Sequence, residues 1–330
     1  MLYSIPALYC PFPIAIHPLV DEIEDHTNQW VTDFQLLDSY ETFRKFRDSQ
    51  FGHFIGRSFP DADFIRISAW SDLNALLFIL DDQIDAQDII KDKTSFFALM
   101  NRFIEVLEKR EHCTRDKDGP VLTALSDFWR RITLVTQERW QRKFIKSIED
   151  MFNGGYWQFE HLLLGKKPVL EEYLKVRQYF GAAHLSTDAL EGIAGIDLPQ
   201  YVYDDPMVHR LTELARNTIC FSNDLFSFGK ELEEKNNGAV FNLVLIVKDK
   251  YDLTLSEAIR KAADIHDEHI REFLALSELV YRYDEDINRT LKTYVDALGV
   301  LQRGNIEWST LETARYPHIY EFVKMEKTDK

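Results

Sequence analysis

Apolar residues return every three or four positions along most of this chain, the spacing that places them on one side of an α-helix. Between Leu19 and Leu37 the pattern runs through Ile23, Trp30, Val31 and Phe34, with Glu22 and His26 among them. Ala62 to Asp85 is a longer helix that grows steadily more apolar toward its end. Thr94 to Lys109 carries Phe96, Phe97, Met100, Phe103, Ile104 and Leu107 at the same spacing. Further helices are predicted over Thr136–Leu164, Pro168–His184, Met207–Leu232, Phe241–Asp249, Leu255–Arg282 and Glu285–Leu298. Gly154-Gly155 predicts a kink in the fourth of these helices. Thr254 or Ser256 is expected to cap one helix start, and Gly299 or Gly304 to close the last helices. No run alternates with period two between hairpin turns, so strands are not expected. The pattern predicts an all-α protein.

The first 18 residues break this pattern, with Pro6, Pro11 and Pro13 favouring an extended strap over the body of the fold. They lack the basic start of a signal peptide, and no run reaches the ~20 apolar residues of a membrane span. The polar loop 233–238 is too short for a domain boundary, and residues 325–330 are expected to form a mobile tail. One domain over residues 1–330 therefore fits better than two. Composition adds 45% hydrophobic and 13% aromatic residues, ample for a core. The balance of 39 basic against 55 acidic residues, net −16, disfavours nucleic acid and anionic membranes as partners. An anionic small substrate then needs local cations. Cys10, Cys113 and Cys220 are widely spaced and odd in number, which points to a reducing cytoplasm rather than a disulfide framework.

Two polar clusters interrupt apolar surroundings. Asn223, Ser227 and Glu231 recur every four residues, stacking an amide, a hydroxyl and a carboxylate on one helix face. These are hard oxygen ligands suited to Mg²⁺ or Mn²⁺, and Lys230 beside them hints at an accompanying anion. The bland alternative is a solvated face, against which Phe226 and Phe228 weigh. The second cluster, Asp81-Asp82-Gln83-Ile84-Asp85, closes the apolar run from Leu73 to Leu80. Carboxylates crowded there repel one another and oppose the helix dipole, which a divalent cation relieves. An exposed acidic helix end remains the alternative.

Together these motifs resemble those of class I terpene synthases (terpene cyclases) of the bacterial and fungal type. The family carries an aspartate-rich motif, matched by Asp81-Asp82-x-x-Asp85, and an N-D-x-x-S-x-x-x-E motif, matched from Asn223 to Glu231. Gly304-Asn305-Ile306-Glu307-Trp308 and the pair Arg315-Tyr316 resemble its C-terminal segment, and Cys10-Pro11-Phe12-Pro13 its strap, so the likeness spans nearly the whole chain. It implies a helical bundle around a deep apolar cavity and three Mg²⁺ ions, with Mn²⁺ as a substitute. Two ions belong at the aspartate side, and one at Asn223, Ser227 and Glu231. It also implies Arg177, Lys230, Arg315 and Tyr316 as pyrophosphate ligands and Gly181 as the effector one turn after Arg177. The family often places Asp just before that glycine; this chain has Phe180. Phe78, Trp308, Phe221 and Trp157 are the implied cation-stabilising wall. Core packing is the competing reading for each aromatic.

The implied activity is cyclisation of a prenyl diphosphate, with farnesyl diphosphate and a sesquiterpene product favoured over geranylgeranyl diphosphate and a diterpene. Chain-elongating relatives carry two aspartate-rich motifs, whereas Asp204-Asp205 here runs directly into Pro206. A non-catalytic helical scaffold binding metals or partners is the alternative of a different class. Monomer and homodimer are both compatible with the sequence.

Overall fold

The computed structural model describes residues 5–85, 92–233 and 238–316. Among them every regular element is helical, as the spacing predicts. In chain order the helices are α1 (Val20–Asp33), α2 (Tyr40–Asp48), α3 (Phe51–Ser58), α4 (Phe64–Asp85), α5 (Lys93–Lys109), α6 (Arg115–Thr133) and α7 (Glu138–Leu164). Then follow α8 (Leu170–Phe180), α9 (Ala183–Gly192), α10 (Gln200–Tyr203), α11 (Pro206–Glu233), α12 (Leu243–Tyr251), α13 (Leu255–Ser277) and α14 (Glu285–Glu307). A 3-10 turn, Gly238–Phe241, leads into α12, and α14 runs on into a π-helical turn, Trp308–Glu312.

Packing contacts close these helices into a ring. Neighbours around it are α4, α6, α5, α7, α8, α11, α14 and α3, which returns to α4. α4 and α11, the helices that carry the two polar motifs, therefore lie on different sides of one central space. α1 packs outside α3 and α4, and α13 packs outside α11 and α12. The strap crosses this outer layer. Phe12 meets Phe273 of α13 edge-on at 5.4 Å, and Arg303 of α14 donates to the Cys10 carbonyl at 3.2 Å.

Several boundaries depart from the spacing. The predicted helix Pro168–His184 is two helices, because Ala182 takes a left-handed turn (φ +55°) after Gly181 and the chain restarts as α9. Gly154-Gly155 does not kink α7; the missing Cβ of Gly154 lets the Phe180 backbone nitrogen approach to 2.6 Å of where that carbon would sit. Gly299 and Gly304 do not close α14 either. They lie inside it, against the Phe12 ring and the Arg57 backbone. Thr254 caps α13 in a reciprocal box with Glu257, as expected. α2 and α3 are unpredicted, being only 9 and 8 residues long, and α6 is masked in the sequence by Gly119-Pro120. The expected tail 325–330 lies outside the described residues. No helix among the described residues is long and apolar enough to cross a membrane.

Candidate active site

α4 owes its position to burial on nearly every side. Leu73, Ala75, Leu76, Ile79 and Leu80 are buried, and Asp72 is held by Thr27, His26 and Arg131 from α1 and α6. One stripe differs. Asn74, Leu77 and Phe78 are half-buried, and Asp81 and Asp82 are exposed. These positions follow i, i+3, i+4, i+7, i+8, a single helix face. The stripe is the more accessible part of a helix packed against α1, α3 and α6, with its carboxylates at the C-terminal end of α4 and its other residues one and two turns before them. Asp85 ends α4, and its side chain lies outside the described residues.

Although part of Asp81 is exposed, the protein packed around its carboxyl first, and the charge of Asp82 second, push it above its ordinary value, while Arg315, Lys230 and Arg177 pull it back. Burial also raises Asp82, but the Arg315 guanidinium outweighs it and leaves that carboxyl below the usual range. Arg315 donates to both Asp82 oxygens, at 3.0 and 3.2 Å, and its guanidinium lies 5.2 Å from the centre of the Phe78 ring. Arg315 reaches Asp82 on α4 and the adjacent Tyr316 reaches Asn223 on α11, so one short segment ties the two motif-bearing helices together.

The opposite wall is built on α11. Ser227 donates to Glu231 at 2.5 Å, and Asn242 donates to the other Glu231 oxygen at 3.0 Å. Asn223 donates to the Tyr316 hydroxyl at 2.9 Å and accepts from Arg177 at 3.1 Å. Burial, then the charge of Asp224, raise the Glu231 carboxyl. Among the described residues no three His, Cys, Asp or Glu side chains converge as a ready-made cage. Both walls offer instead open sets of hard oxygens, which fits a divalent ion that completes its shell with water and phosphate oxygens. A carboxylate crowded by burial, with neutral partners and room for a cation, fits the same ion.

Arg177 explains how the chain manages without an aspartate at 180. Its guanidinium donates from Nε and Nη2 to one oxygen of buried Asp224, at 2.9 and 2.8 Å. The other Asp224 oxygen accepts from the Tyr173 hydroxyl and from the Leu243 backbone N–H at 3.1 Å. Phe180 lies under the same guanidinium, with its ring centre at 4.8 Å, and stacks on Trp157 at 6.0 Å. Burial opposes the charge of Arg177 and Asp224 overcomes it, so the arginine stays charged. Asp224 is the fixed Asp of the second motif, to which the sequence gives no role, and nothing in the sequence singles out Tyr173. A Cβ on Gly181 would collide with Arg177 Nη1. Gly181→Ala is therefore expected to push the guanidinium away from Asp224, cutting turnover about 100-fold and lowering the melting midpoint, measured by steady-state kinetics and thermal denaturation.

The aromatic candidates separate. Phe78 lies on the accessible stripe of α4 and stacks on Phe51 of α3 at 4.4 Å. Trp157 is half-buried beside Phe180 and Phe241. Trp308 is only 1% exposed, with its indole N–H donating to the carbonyls of Ser49 and Gln50 and its ring 6.2 Å from that of Phe78. Phe221 is fully buried with its ring edge-on to His269 of α13. Phe51, which no motif or spacing picks out, supports Phe78 and lies 5.6 Å from the Arg315 guanidinium. Arg57 of α3 holds Glu312 with three bonds of 2.6 to 2.9 Å, fixing the turn that presents Arg315 and Tyr316. Asp205 serves architecture, accepting from Arg282, Tyr283 and the Met207 backbone at the start of α11. A separate hollow at Tyr281, Glu285 and Lys292 lies on the surface and includes none of these residues.

Comparison with solved structures agrees with this architecture. A protein obtained by ancestral sequence reconstruction superposes with a TM-score of 0.79 at 26% identity, over 92% of this chain and 89% of that one. An all-α ring with facing acidic and Asn-Ser-Glu walls is the class I terpenoid synthase fold. The family model for terpene synthase family 2, C-terminal metal binding, matches residues 72–272, and the chain belongs to this family. It is 32% identical to a (+)-T-muurolol synthase, described as cyclising (2E,6E)-farnesyl diphosphate, from Roseiflexus castenholzii, over 94% of this chain and 93% of that one. It is 28% identical to a (+)-eremophilene synthase from Sorangium cellulosum, over 93% and 91% of the two chains. The protein is thus a terpene synthase, a carbon–oxygen lyase of the divalent-metal-binding type.

Proposed function

We propose that this protein is a Mg²⁺-dependent cyclase that ionises farnesyl diphosphate and cyclises the resulting cation to a sesquiterpene, as one catalytic domain. The observation that carries this reading is geometric: Arg315 binds Asp82 of the aspartate motif, while its neighbour Tyr316 and Arg177 both bind Asn223 of the second motif, which brings the two motifs and the basic groups together. Carboxylates and guanidinium groups gathered at the ends of the two motif helices suit a ligand that is itself a metal–polyanion assembly. Asp81, Asp82 and Asp85 would hold ions on one wall, and Asn223, Ser227 and Glu231 one ion on the other. Bound Mg²⁺ would neutralise charge on the leaving group.

The protein's own residues do the rest. Arg177 and Arg315 present forked donors to phosphate oxygens, and Lys230 and Tyr316 add single contacts. As the C1–O bond breaks, its electron pair leaves with pyrophosphate and C1 becomes an allylic cation. The π electrons of the distal double bonds then attack it in turn, until proton loss or capture of water ends the sequence. Leu77 and Phe78, one turn before the carboxylates, keep the cation's surroundings apolar, and the Phe78 face stabilises positive charge without adding to it. The (+)-T-muurolol synthase relative supports the choice of farnesyl diphosphate.

Incubation with farnesyl and geranylgeranyl diphosphates, each with and without Mg²⁺, tests the proposal. Pyrophosphate release and a cyclic fifteen-carbon product are expected from the first, only with metal. A larger turnover on geranylgeranyl diphosphate would reassign the substrate. No release from either would remove the cyclase reading.

A further inference from the structure

Asn242 lies outside both motifs, yet it touches the metal wall directly. It is 1% exposed and stands at the N-cap of α12. Its Oδ1 accepts from the Val244 backbone N–H at 2.9 Å, an ordinary cap. Its Nδ2 does something a cap does not require. It donates to Glu231 Oε2 at 3.0 Å and to the Asp224 backbone carbonyl at 2.7 Å. The next residue, Leu243, donates its backbone N–H to the Asp224 carboxylate that holds Arg177. The start of α12 therefore grips two successive turns of α11 at once, one bearing Glu231 and the other anchoring Arg177.

We propose that Asn242 is a positioning residue that fixes the Glu231 carboxylate for its metal ion and couples that ligand to the Arg177 anchor. The inference rests on the reading of Glu231 as a metal ligand. A glutamate side chain has three rotatable bonds, and Ser227 alone constrains one of its oxygens. The Asn242 amide nitrogen constrains the other as a donor, while its oxygen is turned to the Val244 N–H, so it orients the carboxylate without competing for the cation. Partners of this kind, one shell out from a metal, alter affinity or activity about 10–100-fold when removed.

Capping and positioning are separable by chemistry. Serine at 242 keeps an oxygen for the Val244 N–H but is too short, and lacks the amide, to reach Glu231. The test measures Mn²⁺ binding to the full-length protein in the presence of inorganic pyrophosphate, by electron paramagnetic resonance of free Mn²⁺, alongside the Mg²⁺ concentration that half-activates turnover. Asn242→Ser is expected to weaken one class of bound Mn²⁺ about 10–100-fold and raise the half-activating Mg²⁺ by a similar factor, while melting near the parent. In a Glu231→Ala background the same change should add nothing further to Mn²⁺ binding. Unchanged Mn²⁺ affinity and Mg²⁺ activation in a folded Asn242→Ser protein would overturn the proposal and leave a plain cap. Asn242→Thr, which keeps the cap in the same way, replaces the serine variant in these measurements if that variant does not fold. If the parent and pyrophosphate together hold no Mn²⁺, the metal reading of Glu231 fails first, and the positioning role fails with it.

Discussion

Glu231→Ala is expected to lower metal-dependent pyrophosphate release at least ~1000-fold while leaving the fold standing. The two halves of that expectation have different origins. The loss of rate follows from the place of Glu231 in the Asn223–Ser227–Glu231 face, where it supplies the only formal negative charge of the proposed ligand set. Without it, the ion on that wall has two neutral ligands, and the departing pyrophosphate loses much of the charge neutralisation that lowers its barrier. A 1000-fold loss corresponds to about 4 kcal/mol, within the range seen when one electrostatic contributor to a transition state is removed. The retention of fold follows from the other partners. Burial raises the Glu231 carboxyl, so in the ligand-free fold its charge is a burden rather than a support. Its hydrogen-bond partners, Ser227 and Asn242, are neutral. A pyrophosphate-release assay paired with a melting curve checks both halves. Turnover near the parent's would remove the metal assignment on α11.

The helical class and both motif walls are legible in the chain because each depends on local spacing. Asp81 and Asp82 share a face with Phe78 by helix geometry alone, and the structure adds that this face is the accessible one on an otherwise buried helix. Spacing does not reveal which side of a helix faces inward. Phe221 and Trp308 both sit near the motifs in sequence. The Phe221 ring meets His269 of α13, and the carbonyls of Ser49 and Gln50 hold the Trp308 indole. The same limit hides Phe51, Asn242 and Tyr173. Each reaches the site by a contact between helices far apart in the chain, and none belongs to a repeating pattern. The break at Gly181-Ala182 is hidden for a different reason. Apolar periodicity continues across it, and only the left-handed backbone of Ala182 separates α8 from α9. By motif alone, Phe180 stands for a lost carboxylate. In the structure the anchoring charge comes from Asp224 on the facing helix, and the ring at 180 takes the flat side of the same guanidinium.

Asp224→Ala should show the opposite balance to Glu231→Ala, with a large loss of stability accompanying the loss of activity. Asp224 is 1% exposed, and its carboxylate gathers Arg177, the Tyr173 hydroxyl and the Leu243 N–H. Removing it strands a charged guanidinium that is itself buried, together with a phenol and a backbone donor. Stranding one member of a buried pair costs about 3–5 kcal/mol, because the desolvation of the survivor is no longer offset. For a chain of this size that corresponds to a fall of roughly 4–7 °C in the melting midpoint. Asp224→Asn keeps the volume but offers the guanidinium a neutral oxygen, so it should fall between the parent and the alanine variant. The double variant Arg177→Met with Asp224→Leu removes both charges and should recover part of the stability, but none of the turnover, since the proposed pyrophosphate contact is gone. Calorimetry on the parent, Arg177→Met, Asp224→Leu and the double variant closes the cycle and measures the coupling directly. If Asp224→Ala melted with the parent, the Asp224 carboxylate would not be what holds Arg177 in place. If the double variant turned over substrate normally, the stability of α8 against α11 would be separate from catalysis, and Arg177 would be a strut rather than a ligand of the leaving group.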